Sequence, residues 1–310
     1  MDEKQLPFLK RFWIYQKERF PFFAHGLMIA AFTFSAVSYS RICRGKTGFI
    51  PWSDFAIGIL ATVSLFFLVR IFDEFKDRED DARFRKYLPV PRGLISLKEL
   101  KWIGILLGLV QISTIVIFQR EMLLLYLIVL AYLVLMGFEF FVPKWLKARQ
   151  LLYITSHMFI IPLIDIYASG LDWKLEGSSA HWGLAWFFAV SYMNGLVLEF
   201  GRKLRSPEME EDGVISYTGL YGTKGGVIAW IVLMFITMLL AMGAAWYADY
   251  SYWAYIIFGG FFIICALPGF QFLVNVTAKG AKRMEYASAL WTALMYLALG
   301  GIPMLISFWQ

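Results

Sequence analysis

An acidic run in the sequence follows directly on an apolar segment of membrane-spanning length. Residues 73–81 place six carboxylates in nine positions, and carboxylates so crowded repel one another unless something positive is bound. If the preceding helix continues, Asp73, Asp77 and Asp81 are spaced i, i+4, i+8 and fall on one face. Mg²⁺ is commonly held by one or two carboxylates together with phosphate oxygens. The run therefore predicts a divalent metal and a diphosphate substrate at a membrane surface.

A second polar loop follows the sixth apolar segment, and its bases precede most of its acids. It runs from Glu199 through Arg202, Lys203 and Arg205 to Glu208. Arg offers phosphate a planar pair of donors, and Lys offers a compact point charge. The three bases are therefore candidate diphosphate ligands, and the acids could complete a metal site. The alternative interpretation is a solvated loop that only follows the charge topology of a membrane protein.

The elements that must position these residues are membrane helices. Hydrophobic residues make up 59% of the 310 positions and charged residues only 17%, which is too apolar for a soluble protein of this length. The expected fold class is all-α, a polytopic membrane protein with nine transmembrane helices. Nine apolar runs approach the roughly 20 residues that span hydrocarbon, at 22–43, 51–72, 102–119, 122–142, 150–170, 182–201, 225–247, 252–275 and 287–308.

The basic residues predict the orientation of these helices. If the N-terminus is cytoplasmic, 24 of the 29 Lys and Arg residues lie on the cytoplasmic side. This bias predicts an integral, multi-pass protein, of the inner or plasma membrane if the source is bacterial. The N-terminus and the polar loops 73–101 and 202–224 would then face the cytoplasm. The net charge of +6 is explained by this topology and by anionic lipid, so no nucleic-acid partner is expected.

The first 20 residues differ in pattern from the rest of the chain. Their apolar positions, Leu6, Phe8, Leu9, Phe12 and Trp13, are interspersed with the bases Lys4, Lys10, Arg11, Lys17 and Arg19. This pattern predicts that residues 1–20 form a basic amphipathic segment on the membrane surface. A disordered tail is the alternative, against which the apolar content argues. Residues 21–310 are expected to form a single transmembrane domain.

The acidic run and the residues after it resemble the first signature of the UbiA superfamily of intramembrane prenyltransferases. That signature is roughly Asn-Asp-x-x-Asp-x-x-x-Asp followed by a Pro-x-Pro-x-Gly stretch. The matching positions are Asp77, Arg78, Glu79, Asp81, Pro89, Pro91, Gly93 and Ser96. The resemblance implies a helical bundle around a lipid-accessible cavity, Mg²⁺ as cofactor, a prenyl diphosphate and a lipophilic, aromatic or alcohol acceptor as substrates, and surrounding membrane lipids.

The sequence departs from the family pattern at both motifs. Asp73 stands where the family has Asn, and Glu74 where it has Asp. In the second motif, Glu199-x-x-x-Lys203 replaces the usual Asp-x-x-x-Asp, so Lys203 could substitute for a cation. Family members also bind diphosphate with a lysine near the start of the fifth helix. The local candidates for that lysine are Lys144 and Lys147.

The residues and the resemblance together give an expected site. The expected metal ligands are Asp73, Asp77, Asp81, Glu199 and Glu208. The expected catalytic residues are Asp73, Asp77, Asp81, Glu199 and Lys203, and the expected diphosphate ligands are Arg70, Arg202, Lys203, Arg205, Lys147 and Lys144. Polar groups inside membrane helices are costly unless they are used or paired. The pocket candidates are accordingly Asn194, His157 and Tyr192, with packing as the alternative role.

Two other functions fit parts of the sequence. A terpene cyclase of the same superfamily would use the substrate's own double bond as nucleophile, and the altered second motif leaves this open. A membrane cation transporter could use the acids as a selectivity patch. Against a transporter, the carboxylates cluster at the ends of the spans, whereas ion transport needs charge along the path.

Overall fold

The computed structural model describes residues 3–308, except the side chain of Lys4. Residues 1–2 and 309–310, the outer ends of the two predicted domains, lie outside the described residues. Within residues 3–308 every regular element is helical, and nine helical segments are long and apolar enough to cross a membrane. These segments coincide with the nine predicted runs. The prediction of an all-α, multi-pass membrane protein is therefore confirmed.

The α-helices, in chain order, are α1 (Phe8–Arg19), α2 (Phe22–Cys43), α3 (Trp52–Lys76), α4 (Arg78–Phe84), α5 (Leu97–Phe118), α6 (Leu123–Gly137), α7 (Pro143–Lys147), α8 (Gln150–Met158), α9 (Ile160–Trp173), α10 (Leu184–Lys203), α11 (Tyr217–Tyr247), α12 (Trp253–Val274), α13 (Ala278–Tyr296) and α14 (Ile302–Ser307). Several begin earlier than their apolar runs, because side chains cap their first turns. The capping residues are Ser96 for α5, Ser216 for α11 and Thr277 for α13.

Two predicted runs are interrupted in the structure. The run 122–142 is helical only as far as Gly137, after which Glu139, Phe140 and Phe141 form a left-handed turn. The run 150–170 is divided between α8 and α9 at Phe159. Pro162 lies just after this break, and its ring nitrogen has no hydrogen to donate to the carbonyl four residues earlier.

The chain divides into two compact units. The first comprises the residues up to Thr33 together with Ile50–Leu175, and the second comprises Phe34–Phe49 together with the chain from Glu176 onward. The core of the first unit includes Tyr15 of α1, which is fully buried beside Phe67 and Ile71 of α3. Within the predicted N-terminal segment, Phe8–Arg19 therefore form a helix packed onto this unit. Its placement on a membrane surface stays a prediction.

The second unit is held by contacts between its first segment and later helices. The Tyr39 hydroxyl donates a hydrogen bond of 2.9 Å to the Ala244 carbonyl of α11, and its ring stacks on Phe187 of α10. A Cβ atom on Gly300 would overlap the backbone of Ser35 in α2. Only glycine lets the chain approach α2 this closely.

An ion-pair cluster also fixes this first segment, and we expect it to make stability depend on pH. Glu176 lies 2.7 Å from Arg41 and 2.9 Å from Arg44. The hydrogen bond from Arg41 lowers the pKa of Glu176 below its ordinary value of 4.5. This pair therefore stabilises the fold at neutral pH, and the contribution is lost as pH falls below 4.5 and through the lowered pKa.

A Glu176→Gln protein should accordingly unfold at a lower temperature than the wild type at pH 7. The expected loss is about 1 kcal/mol, because the carboxylate is 36% exposed and solvent screens the pair. The difference should shrink in acid, since the wild type then loses the same interaction. Thermal unfolding in detergent between pH 3 and pH 7 measures this. A difference that stays constant over that range would contradict it.

Candidate active site

The first acidic motif lies at the end of α3 and in α4, both in the first unit. The Asp77 N–H donates to the Asp73 carbonyl at 2.9 Å, and the Asp81 N–H donates to the Asp77 carbonyl at 2.8 Å. The i, i+4 register expected from the sequence therefore continues through the motif. Asp73 and Asp77 are partly exposed, whereas Asp81 is 2% exposed.

The motif carries its own counter-ions. Asp73 lies 3.0 Å from Lys76 and 3.8 Å from Arg70, and Asp81 forms an ion pair with Arg85. Lys76 also lies 5.6 Å from the centre of the Tyr153 ring of α8. Within the described part of the chain, the Asp77 side chain makes neither a hydrogen bond nor an ion pair. Asp77 is thus the carboxylate of this motif that, among the described residues, has no cation paired with it.

Glu74, which stands where the family signature has Asp, is buried and paired with two cations. Its side chain is 1% exposed and lies 2.7 Å from Arg19 of α1 and 3.1 Å from Arg70. A buried carboxylate is stable only when paired and hydrogen-bonded. Glu74 therefore anchors α1 to the motif. This pair has no local signature in the sequence, because 55 residues separate Arg19 from Glu74.

The proline-containing stretch after α4 folds back onto the motif. A cavity of about 340 Å³ is lined by Glu74, Asp81, Val90 and Pro91, among others. Gly93 closes the stretch with φ of +80°, a backbone conformation that favours glycine. Burial raises the pKa of Asp81 above its ordinary value, and Arg85 opposes that shift. Asp81 is therefore enclosed by the segment that the Pro-x-Pro-x-Gly signature describes.

Of the two candidate lysines after α6, one reaches the motif. Lys147 lies 3.6 Å from Asp80 and 3.9 Å from Glu139. Lys144 is exposed and makes no ion pair within residues 3–308. Glu139 was missed by sequence reasoning, because it falls inside what reads as an apolar helix.

The second motif lies in the second unit, at the end of α10. Glu199 is contacted by two cations, Arg202 at 2.6 Å and Lys203 at 2.7 Å. Lys203 also lies 5.9 Å from the ring centre of Tyr217, which stacks on Phe200. Two positive groups on one carboxylate reduce its attraction for a metal ion. The metal-binding role of Glu199 stays a prediction.

The loop after α10 is braced by its own side chains. Arg205 donates a hydrogen bond of 3.1 Å to the Met209 carbonyl and lies 3.4 Å from Glu211. Glu208 is exposed on the short turn between them, so its predicted metal-binding role also stays untested. A cavity of about 340 Å³ is lined by the bases Arg202, Arg205 and Lys282. Lys282 of α13, which sequence reasoning missed, also lines this cavity and lies 2.7 Å from Glu285.

The three pocket candidates have different surroundings. Asn194 is fully buried, and both polar atoms of its amide have no hydrogen-bond partner among the described residues. His157 is 5% exposed, lies 2.8 Å from the Tyr153 carbonyl through Nδ1, and stacks on the Tyr153 ring. A carbonyl can only accept, so Nδ1 donates. Tyr192 is partly buried.

The residues of the first motif fit Mg²⁺ if a phosphate group shares it. Within residues 3–308, no three His, Cys, Asp or Glu side chains are grouped so that they could hold a metal by themselves. Mg²⁺ does not require such a cage, because it keeps several waters and binds one or two carboxylates plus substrate phosphates. Asp77, which makes no ion pair among the described residues, and Asp73, one turn before it, supply two such carboxylates. A metal bound here would therefore need phosphate oxygens among its ligands.

Comparison with solved structures gives the fold. A digeranylgeranylglyceryl phosphate synthase shares 15% identity, with a TM-score of 0.61, and the match covers 95% of this chain and 99% of that one. A UbiA homologue from Aeropyrum pernix K1 in its apo form shares 14% identity with a TM-score of 0.62, over 91% and 98% of the two chains. No curated protein matches the sequence significantly.

Comparison with family models gives membership. The model of the UbiA prenyltransferase family matches residues 30–296, which include both motifs and nearly all of the membrane helices. That span is well over half of the 310 residues. The chain therefore belongs to the UbiA prenyltransferase family and is a membrane prenyltransferase of that family.

Proposed function

We propose that this protein is a Mg²⁺-dependent prenyltransferase that transfers an isoprenoid chain from a prenyl diphosphate to an aromatic or alcohol acceptor within the membrane. The observation that carries the proposal is the composition of the first motif. Asp73 and Asp77 lie one helical turn apart at the end of a membrane-spanning helix, with Lys76 and Arg70 beside them. Carboxylates for a metal and bases for phosphate thus occur together at the end of a span.

In the proposed reaction, the bond between C1 of the isoprenoid and the diphosphate oxygen breaks, and its electron pair leaves with the diphosphate. The acceptor then forms a bond to C1 and releases a proton. Mg²⁺ held by Asp73 and Asp77, with Asp81 as a further predicted ligand, would neutralise charge on the departing diphosphate. Lys147 and Arg70 would donate to its oxygens. The helical spans would exclude water, which otherwise captures the cation.

The second motif, in the second unit, would supply further bases for a diphosphate. Glu199 holds Arg202 and Lys203 within 2.7 Å, so it restricts two long, flexible side chains to one place. We propose that these bases, with Arg205, act on the diphosphate, and that Lys203 supplies charge that a second metal gives in the usual motif. The strong bias of Lys and Arg supports a cytoplasmic location for both motifs.

The proposal is tested with purified protein in lipid nanodiscs. A series of prenyl diphosphates, with and without aromatic and alcohol acceptors, is incubated in Mg²⁺ or in EDTA. Pyrophosphate release and lipid products are measured by mass spectrometry. The expected result is a prenylated acceptor that forms only with Mg²⁺. Pyrophosphate release without any transfer to an acceptor would overturn the transferase assignment.

The same experiment separates the alternatives. A cyclised hydrocarbon or alcohol formed from prenyl diphosphate alone would identify a terpene cyclase of this superfamily, which the changed second motif makes worth testing. Divalent metal flux into proteoliposomes, without turnover of any prenyl diphosphate, would instead identify a transporter.

Replacing Asn194 is predicted to lower activity without lowering stability. Its amide is buried without a hydrogen-bond partner among the described residues, so the fold gains little from it, while a substrate or bound water could use it. An Asn194→Leu protein should melt at the wild-type temperature or above and lose about tenfold in turnover. Thermal unfolding and product formation are the measurements.

Ser191, one turn earlier on α10, is the matched control. Its hydroxyl is already satisfied by the Tyr296 hydroxyl at 2.7 Å. Ser191→Ala should therefore lower the free energy of unfolding by about 1 kcal/mol and leave turnover close to the wild type. If Asn194→Leu destabilises the protein and retains activity, the amide has only a packing role.

A further inference from the structure

The turn after α6 is strained. Glu139, Phe140 and Phe141 have φ values of +49°, +53° and +61°, and none is glycine. Left-handed backbone costs roughly 1–2 kcal/mol for each such residue. The turn is held by aromatic packing, since Phe138 stacks on Phe141 and Phe140 packs edge-on against Tyr132. Strain of this kind persists where the surroundings enforce it, and it is concentrated at functional sites.

The turn places a carboxylate where an ordinary helix would not. Glu139 is 6% exposed, and its Oε1 atom has no hydrogen-bond partner within the described residues. Burial raises the pKa of this carboxyl, and the charges of Lys147 and then Lys76 oppose that shift. Asp77 and Asp80 of the first motif act on it as well, in the opposite direction. Glu139 therefore lies within the electrostatic field of the first motif.

Lys147 lies near two carboxylates without donating a hydrogen bond to either of them. Its ammonium is 3.6 Å from Asp80 and 3.9 Å from Glu139, both longer than a hydrogen bond. Lys76 differs, because it lies 3.0 Å from Asp73, and Lys203 lies 2.7 Å from Glu199. Within residues 3–308 Lys147 makes no side-chain hydrogen bond. It can therefore give all three N–H groups to phosphate oxygens.

We propose that Glu139 is a positioning residue that acts through Lys147. Together with Asp80 it holds the ammonium beside the first motif, so that the ammonium meets the diphosphate of the substrate. The strained turn exists to bring the buried carboxylate to that point. The inference rests on the proposed function, because it assigns the ligand of Lys147 as diphosphate.

A double-mutant cycle tests this inference, using Glu139→Gln, Lys147→Met and the double variant. The main readout is the affinity for inorganic pyrophosphate in Mg²⁺, measured by calorimetry, with KM for prenyl diphosphate as the second. Glu139→Gln should weaken pyrophosphate binding about tenfold, and the double variant should bind no more weakly than Lys147→Met alone. Glu121→Gln, which removes the same charge at the opposite end of α6, should bind as the wild type does.

Asp80→Asn provides a second route if Glu139→Gln does not fold, since Asp80 is exposed and can be changed safely. The loss of pyrophosphate affinity caused by Asp80→Asn should also disappear when Lys147 has already been replaced by Met. Additive losses in the double variants would overturn the inference, and so would an unchanged affinity in a folded Glu139→Gln protein. If the wild type neither binds pyrophosphate nor turns over prenyl diphosphate, the proposed function itself fails.

Discussion

An Asp77→Asn protein is expected to turn over prenyl diphosphate on the order of 10²–10³-fold more slowly than the wild type in Mg²⁺. Asp77 is the carboxylate of the first motif without an ion pair in the described part of the chain, so the metal would depend on it most. The same change should cost little stability. Asp77 also repels Asp81, and this repulsion ends when the charge is removed. Initial rates and thermal unfolding together measure both expectations.

Asp54→Asn is the matched control for Asp77→Asn. Asp54 lies in the first turn of α3, so the change removes the same charge from the same helix at its opposite end. Its turnover should equal that of the wild type. If Asp77→Asn retains full Mg²⁺-dependent turnover, the first motif does not hold the metal. An equal loss in both variants would show a general effect of helix charge.

Replacing Arg19 by Met is expected to lower the free energy of unfolding by about 3 kcal/mol. The substitution leaves the carboxylate of Glu74, which is 1% exposed, with Arg70 as its remaining cation. A buried carboxylate that loses one of its two cations is destabilised strongly, because its desolvation is then only partly offset. Glu74→Gln in the same protein removes that charge, and the double variant should recover most of the lost stability. Chemical or thermal unfolding in detergent provides the measurement.

Arg11→Met serves as the comparison on the same helix. Arg11 lies 2.7 Å from Glu99, a pair of similar length, but Glu99 is 29% exposed and also accepts hydrogen bonds from Ser96. Loss of the pair between Arg11 and Glu99 should lower the free energy of unfolding by only about 1 kcal/mol. Equal destabilisation by the two substitutions would mean that burial of Glu74 adds nothing to the pair. An Arg19→Met protein as stable as the wild type would show that the contact of α1 with Glu74 does not stabilise the fold.

The membrane fold was largely predictable because hydropathy reports directly on the medium around a helix. All nine apolar runs correspond to spans. The helix boundaries were less predictable where a helix continues into polar residues. α13 begins at Ala278, nine residues before its predicted run, because Thr277 caps it and polar residues continue the helix. Hydropathy detects hydrocarbon, whereas hydrogen bonds and caps decide where a helix begins.

The backbone register of the first motif was predictable, because local spacing carries that information. The i, i+4 spacing of Asp73 and Asp77 follows from helix geometry alone. The partners Arg19 and Glu139 were not predictable, since one is remote in sequence and the other depends on a left-handed turn of three non-glycine residues. Such a turn has no local signature, because packing rather than propensity enforces it. Asp81 shares the same spacing, but its burial and its ion pair with Arg85 depend on the fold and could not be predicted from the sequence.

The connection between α1 and Glu74 has a practical result for work on this enzyme. A shortened chain that starts after residue 20 would retain every candidate span, yet it would lack Arg19 and the buried ring of Tyr15. Deleting a segment that contributes no candidate span would thereby leave the buried Glu74 of the first motif with one cation fewer. Purification tags are better attached at the C-terminal end. If N-terminal trimming lowers activity, loss of the contact between Arg19 and Glu74 should be tested before a change of membrane topology.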